Sequence, residues 1–295
     1  AALVSLFNSF CPDFQKQTVT VESPETFRPI TVDSVGLKKI VSAHLDDGLT
    51  DAHKAFCRAL VADGERQSLL LNMHLICWSE AQDQWKRYVE QSRHHQAQTL
   101  NLCVLAAILA IVVHIPFRAR TITEMVVTGR TPDIHLSEGS KRIEFSVARK
   151  QMKARKPYDA VLDDSRSRQI LDWFIDGPRQ ELLRDRRFLH NPQPDRLFGG
   201  IGTSRYNRIL VDWTEEIGMR MTTHLFRHAL ASILVNCCEV SLEGVAGILG
   251  NTVATTERNY VFYDRIRQRG RALQKMADHR KLLAETHHPG RRRKS

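Results

Sequence analysis

The chain has 295 residues, enough for one large domain or two ordinary ones, and its 42% hydrophobic and 26% charged residues exclude both a disordered chain and a membrane fold on composition. Lys and Arg outnumber Asp and Glu by 43 to 33, for a formal charge of +10 and a pI near 9.5. That excess favours a polyanionic partner, nucleic acid first, through long-range attraction.

Leu3, Phe7 and Phe10 open the chain with a helical period, and a Pro-containing stretch to Pro29 includes the β-prone run from Thr18 to Glu22, an expected extended segment. The sequence predicts amphipathic helices over 32–46, 50–62, 65–78 and 80–94, with Thr50 or Asp51 capping the second. The first three belong to a helical N-terminal segment, 1–78. The Ala-Ala start, with no charged run before an apolar one, predicts no signal peptide and is consistent with a piece of a longer protein.

The apolar run from Leu102 to Ile115 is shorter than the roughly 20 residues that cross a bilayer and predicts a buried helix over 98–115, with no membrane partner. Pro116 ends it, because the residue before a proline avoids the helical conformation. The turn that follows delivers Arg118 and Arg120.

Short alternating segments at 133–136, 142–148 and 158–162, separated by turn residues at 137–140 and 153–157, predict a small antiparallel sheet. Helices resume over 164–185, 203–217, 223–237, 241–249 and 254–284, and residues 286–295 form a basic tail. The six cysteines (Cys11, Cys57, Cys77, Cys103, Cys237, Cys238) sit in hydrophobic stretches without C-x-x-C spacing. They read as reduced core residues of a cytoplasmic protein, and the adjacent Cys237 and Cys238 as helix packing. No carboxylate cluster or His/Cys spacing suggests a metal, and no cofactor is expected.

His224-Leu-Phe-Arg227-His228 lies on a predicted helix, where a spacing of three puts His224 and Arg227 on one face, a pairing suited to an anion. Further on come Leu249-Gly250-Asn251, a helix with a glycine stop, and then Thr255-Thr-Glu-Arg-Asn-Tyr260. In order and spacing these motifs resemble the C-terminal signature of the tyrosine recombinases, or phage integrases: H-x-L-R-H, an L-G pair, a threonine pair and a nucleophilic tyrosine. The resemblance covers about Gln98 to Arg280. It implies an α+β catalytic domain over 79–285, mainly helical with a small antiparallel sheet and preceded by the helical N-terminal segment.

The same resemblance implies the site. Tyr260 falls on the nucleophile, and His224 and Arg227 on the second-box histidine and arginine. Asn251 follows the L-G pair. Arg118, in Ile115-Pro-Phe-Arg118, falls on the first arginine, with Arg120 as the alternative. Lys153, in a hairpin before Pro157, falls on the family lysine, with Lys150 and Lys156 as alternatives. Leu197-Phe198 resembles a short strand ahead of the final helices.

The roles implied are attack by Tyr260 to give a 3′-phosphotyrosyl intermediate, grip of the non-bridging oxygens by Arg118 and Arg227, proton transfer at His224, and protonation of the leaving 5′ oxygen by Lys153. Neither metal nor ATP enters. The partners implied are double-stranded DNA and three further copies, a tetramer docked through the C-terminal helix by Ile266, Leu273, Met276 and Leu282. Two departures stand out: Asn251 replaces the family's histidine or tryptophan, and Thr121 the acid three positions after the first arginine, with Glu124 the nearest substitute. Competing readings are a type IB topoisomerase, a telomere resolvase, and a catalytically silent DNA-binding descendant, which the two departures motivate.

Overall fold

The computed structural model describes residues 19–22, 29–32, 50–137, 139–152, 156–259 and 265–286, in two compact units, Ala1–Thr50 and Asp51–Ser295. The described part of the first unit is an antiparallel hairpin of β1 (Val19–Glu22) and β2 (Pro29–Val32), with Val19 opposite Val32. The expected helix over 32–46, the period at Leu3, Phe7 and Phe10, and Cys11 lie outside the described residues.

The second unit begins with α1 (Asp51–Ala62), α2 (Gly64–Leu71) and α3 (Met73–Trp85). Asp63 caps α2, its carboxylate accepting the backbone amides of Glu65 and Arg66. The expected helix boundary near residue 79 is displaced to Asn72, whose side-chain amide donates to the Ser68 carbonyl (2.8 Å) and competes with helix propagation. Ser92 caps α4 (Arg93–Val112), so this helix begins before the expected residue 98 and is long and apolar enough to cross a membrane by length and composition. Here 72% of its apolar window is covered by protein. A helix apolar on every side belongs at the centre of a core, and α3 and the later helices Ser165–Asp176, Pro178–Arg184 and Thr203–Glu216 surround it.

The sheet runs β3 (Ile134–His135), β4 (Arg142–Val147), β5 (Tyr158–Asp163), all antiparallel, with Phe145 between Ile134 and Ala160. Ile143, Phe145 and Val147 alternate inward from β4 to the core. α6 (Ser165–Asp176) and α7 (Pro178–Arg184) replace the single helix expected over 164–185, because Gly177 and a proline at the first helical position end one helix and start another. Then follow α8 (Thr203–Glu216), α9 (Thr223–Asn236), α10 (Leu242–Leu249), α11 (Val253–Asn259) and α12 (Arg265–Thr286), with residues 260–264 of the expected helix 254–284 outside the described residues. The architecture is α+β: mainly helices around one small antiparallel sheet.

A second small core of Ala231, Val235, Val245 and Leu249 joins α9 to α10. The described cysteines are free thiols; Cys57, Cys77 and Cys103 are buried, whereas Cys237 is half-buried and Cys238 exposed, at the helix end rather than in the core. Leu197-Phe198 is fully buried but forms no strand. Beside it Arg196 makes a single bridge to Val126, and the Arg179 guanidinium holds the Pro194, Arg196 and Leu197 carbonyls.

Arg168, buried on α6, fixes the sheet to the helical layer: its Nη1 donates to the Ser137, Ser140 and Arg142 carbonyls while its Nε meets both oxygens of Asp172. Arg168→Met leaves those carbonyls without their donor and is expected to lower the unfolding free energy by about 1–3 kcal/mol, read from urea midpoints.

Candidate functional site

The turn between α4 and α5 (Ala119–Thr123) supplies the first arginine. Pro116 blocks further helix. Arg118 then adopts extended backbone (φ −65°, ψ 150°) as the residue before α5, half-buried, with its Nη2 donating to Asn251 Oδ1 at 3.1 Å across 133 residues of sequence. Arg120, the alternative, points elsewhere: its Nε pairs with Glu124 at 3.0 Å and its side chain is 79% exposed.

Arg227 lies on α9, 3% exposed. Its Nη1 donates to the Pro116 carbonyl, two residues before Arg118, and its Nη2 to the Leu249 carbonyl at 3.2 Å, two residues before Asn251. A buried guanidinium must be met by acceptors. Here the acceptors are a backbone oxygen of the loop after α4 and the last one of α10 (Leu242–Leu249), so one side chain sets the separation of the two segments carrying Arg118 and Asn251. Burial raises the phenols of Tyr158, to about 12, and of Tyr206, against the lowering pull of the Arg227 charge.

The end of α10 is a Schellman motif: Gly250 N–H donates to the Gly247 carbonyl (3.0 Å) and Asn251 N–H to the Ala246 carbonyl (2.9 Å), with Gly250 left-handed at φ 60°. This reversal turns the Asn251 side chain toward Arg118. Its Nδ2 is buried and has no hydrogen-bond partner among the described residues. Thr252 then caps α11, its hydroxyl accepting the Thr255 amide, and Thr256 is fully buried beneath it.

The β4–β5 connection packs against this helix end. Thr121, buried where the family resemblance expects an acid, donates its hydroxyl to the Gln151 carbonyl (3.1 Å). Tyr158 donates to the Ile248 carbonyl (3.2 Å) and meets Phe117 edge-on at 5.1 Å. A Cβ on Gly250 would come within 2.3 Å of Met152 Cε. The connection is thus held at Gln151, Met152 and Tyr158, on either side of Lys153, which itself lies outside the described residues. Of its alternatives, Lys150 lines a recess of about 310 Å³ with Arg130 and Asp133, and Lys156 is exposed.

The structure therefore brings together Arg118, Arg227 and Asn251. His224 is exposed on the first turn of α9, its ring stacked 5.6 Å from that of His228, which in turn lies 5.3 Å from His53 on α1. Tyr260 and the alternative Tyr263 lie outside the described residues. Sequence reasoning passed over Thr121 as a missing acid and did not single out Met152 or Tyr158, whose roles arise only from packing. Their one sequence signal is a small hydroxyl residue one turn beyond Arg118 and a tyrosine directly after Pro157.

No protein-family model matches the chain. No curated protein matches it either. Among solved structures it is similar to a crystal structure of XerA recombinase, with TM-score 0.44 and 20% identity, over 65% of this chain. The match spans 63% of that chain's length.

Gly250→Ala places a side chain in left-handed backbone and displaces Met152. It is expected to cost about 1–2 kcal/mol in urea unfolding and to speed amide hydrogen exchange over residues 149–157.

Proposed function

We propose that this chain is a DNA strand transferase of the tyrosine recombinase type, cleaving and rejoining double-stranded DNA through a 3′-phosphotyrosyl intermediate at Tyr260, without metal or ATP. The observation that carries the reading is the convergence of Arg118 and Asn251, 133 residues apart in sequence, on the two segments that the Arg227 guanidinium ties together. Arg118 and the Asn251 amide, whose segments the buried Arg227 ties together, present N–H donors of the kind that the equatorial oxygens of a phosphoryl transition state require. They do so without a bound cation.

In this reading the Tyr260 oxygen attacks the scissile phosphorus and gives its proton to the His224 imidazole. The bond from phosphorus to the 5′ oxygen breaks, and Lys153 supplies the proton that the departing 5′ hydroxyl takes up. One phosphodiester is exchanged for another, so the reversal needs no energy source. Arg118 holds the non-bridging oxygens, and an arriving phosphate replaces the Asn251 amide oxygen as its acceptor, while Asn251 Nδ2 supplies a donor beside it. Backbone phosphates supply most of the affinity, and binding weakens steeply with salt.

The catalytic part of this reading is 79–285, with 1–78 helping to enclose the duplex, and the full reaction takes four copies on two sites. On α12, Leu273, Met276, Leu282 and Leu283 are exposed, while Lys275 with Glu239, and Arg271 with the Asn236 carbonyl, hold the helix to its own protomer.

A second reading, a silent DNA-binding descendant, draws support from Arg227: a side chain 3% exposed, donating to two backbone carbonyls, is committed to holding the fold. Covalent trapping separates the two. Nicked suicide duplexes with randomised flanks, incubated in chelator, are expected to give an SDS-resistant adduct that Tyr260→Phe abolishes and Arg118→Ala slows by roughly 100–1,000-fold. An adduct that persists in Tyr260→Phe moves the nucleophile to Tyr263. Binding to the same duplexes without any adduct overturns the strand-transfer reading in favour of the second.

A further inference from the structure

Three side chains outside the arginine cluster come together from three different elements. His74 lies on α3, His114 just past the end of α4, and Asp164 directly before α6. Their ligand-type atoms all lie within 4.8 Å of one another. His114 Nε2 is 3.7 Å from Asp164 Oδ2 and 3.1 Å from Ser167 Oγ, and the rings of His74 and His114 meet edge-on, 5.6 Å apart at 71°.

We infer that His74, His114 and Asp164 form a binding site for a zinc-type divalent cation, with the fourth position open to water or to the Ser167 hydroxyl. The second, independent observation is His74 itself: it is 6% exposed, and its buried Nδ1 makes no well-formed hydrogen bond, although the Leu71 backbone acts on the ring. A buried imidazole nitrogen left without a partner costs free energy, and a metal ion satisfies it. Two imidazoles and one carboxylate are a donor set of the tetrahedral zinc kind. In such a site the ligand atoms stand about 3.3 Å apart, so an ion would draw the present arrangement inward by about 1.5 Å at most.

The protonation states agree. Burial lowers the His74 imidazole to about 4, with His114 beside it pulling the same way and Asp164 opposing, and burial lowers His114 too. Lowering favours the neutral ring, the form that ligates. Asp164 also caps α6, its Oδ2 accepting the Ser167 amide at 2.7 Å. A carboxylate has about four lone-pair sites, so capping leaves room for a metal.

The consequence is mechanical. The ion would pin α3 and the start of α6 to the end of α4, four residues before Arg118, and so stiffen the turn that carries that arginine. The inference is independent of the strand-transfer reading, and none of its tests uses DNA.

The test is zinc content and affinity of the full, tag-free chain, stripped of metal and then titrated with Zn²⁺ against a chromophoric chelator. Expected are one equivalent of zinc, a higher thermal midpoint with zinc present, and a Co²⁺ spectrum with four-coordinate d–d bands and no thiolate charge transfer. Asp164→Asn keeps a good helix cap while removing the carboxylate. It and His114→Gln are each expected to weaken binding roughly 100-fold or more, since even a partner one shell out is worth about 10–100-fold. A wild-type chain that retains no zinc overturns the proposal. Equal zinc affinity in the folded Asp164→Asn variant does too, by placing the metal elsewhere. Should His114→Gln fail to fold, the wild-type cobalt spectrum and Asp164→Asn decide between these outcomes.

Discussion

The organisation of the site depends on one buried guanidinium. Taking an arginine out of water costs several kcal/mol unless its donors meet acceptors, and a helix interior has no spare carbonyls to offer. Arg227 therefore finds its acceptors at Pro116, in the loop that follows α4, and at Leu249, the last residue of α10. A helix end is where backbone oxygens lack intrahelical partners and where the macrodipole welcomes a positive charge. The same argument explains why Arg118 and Asn251 are neighbours. Each follows its acceptor carbonyl by two residues, so satisfying Arg227 brings their segments into reach of one another, and the 3.1 Å contact between them follows.

The sheet is tied to this arrangement by side chains that do no chemistry. Thr121, Tyr158 and the bare Cα of Gly250 each hold the β4–β5 connection against the turn or the helix end, by a hydroxyl, a phenol and an absence of bulk respectively. A carboxylate in place of Thr121 would carry charge into a position 4% exposed, beside a carbonyl that needs a donor. The hydroxyl supplies that donor without the desolvation penalty. The departure at this position is thus a different solution to buttressing the same loop, and carries less weight for the silent reading than sequence comparison alone gives it. The replacement at Asn251 is of another kind, because its amide joins the arginine directly.

Much of the fold was legible where a local signal sufficed. Alternation predicted β4 and β5, the glycine stop predicted the end of α10, and the proline rule predicted the turn carrying Arg118. Breaks were missed where amphipathic periodicity runs on across them, as at Asn72, or where a continuous pattern hid Gly177-Pro178. Of the candidate site, the gathering of the arginines and Asn251 was legible from short ordered motifs. The relation of His224 to them was not, since a spacing of three fixes a helix face but not which turn sinks into the core: Arg227 is buried and His224 exposed. The cluster of His74, His114 and Asp164 left no trace at all. Its members sit 40 and 50 positions apart in chain order, on elements that only the central helix brings together.

That central helix links the two halves of the argument. α4 is buried all along its second half and can move only as a unit with its neighbours, so whatever fixes its end fixes the residues that follow. At that end His114 faces α3 and α6, and Pro116 faces Arg227. A guanidinium already holds one side of the turn, at a backbone carbonyl; a metal on the other side would hold the last residues of the helix itself. The proposed strand transfer uses arginines where other phosphoryl-transfer sites use cations, and a cation at His114 would not alter that chemistry. It would act on the position of Arg118, because a forked donor matches a developing phosphorane only when its backbone is held to within a fraction of an ångström.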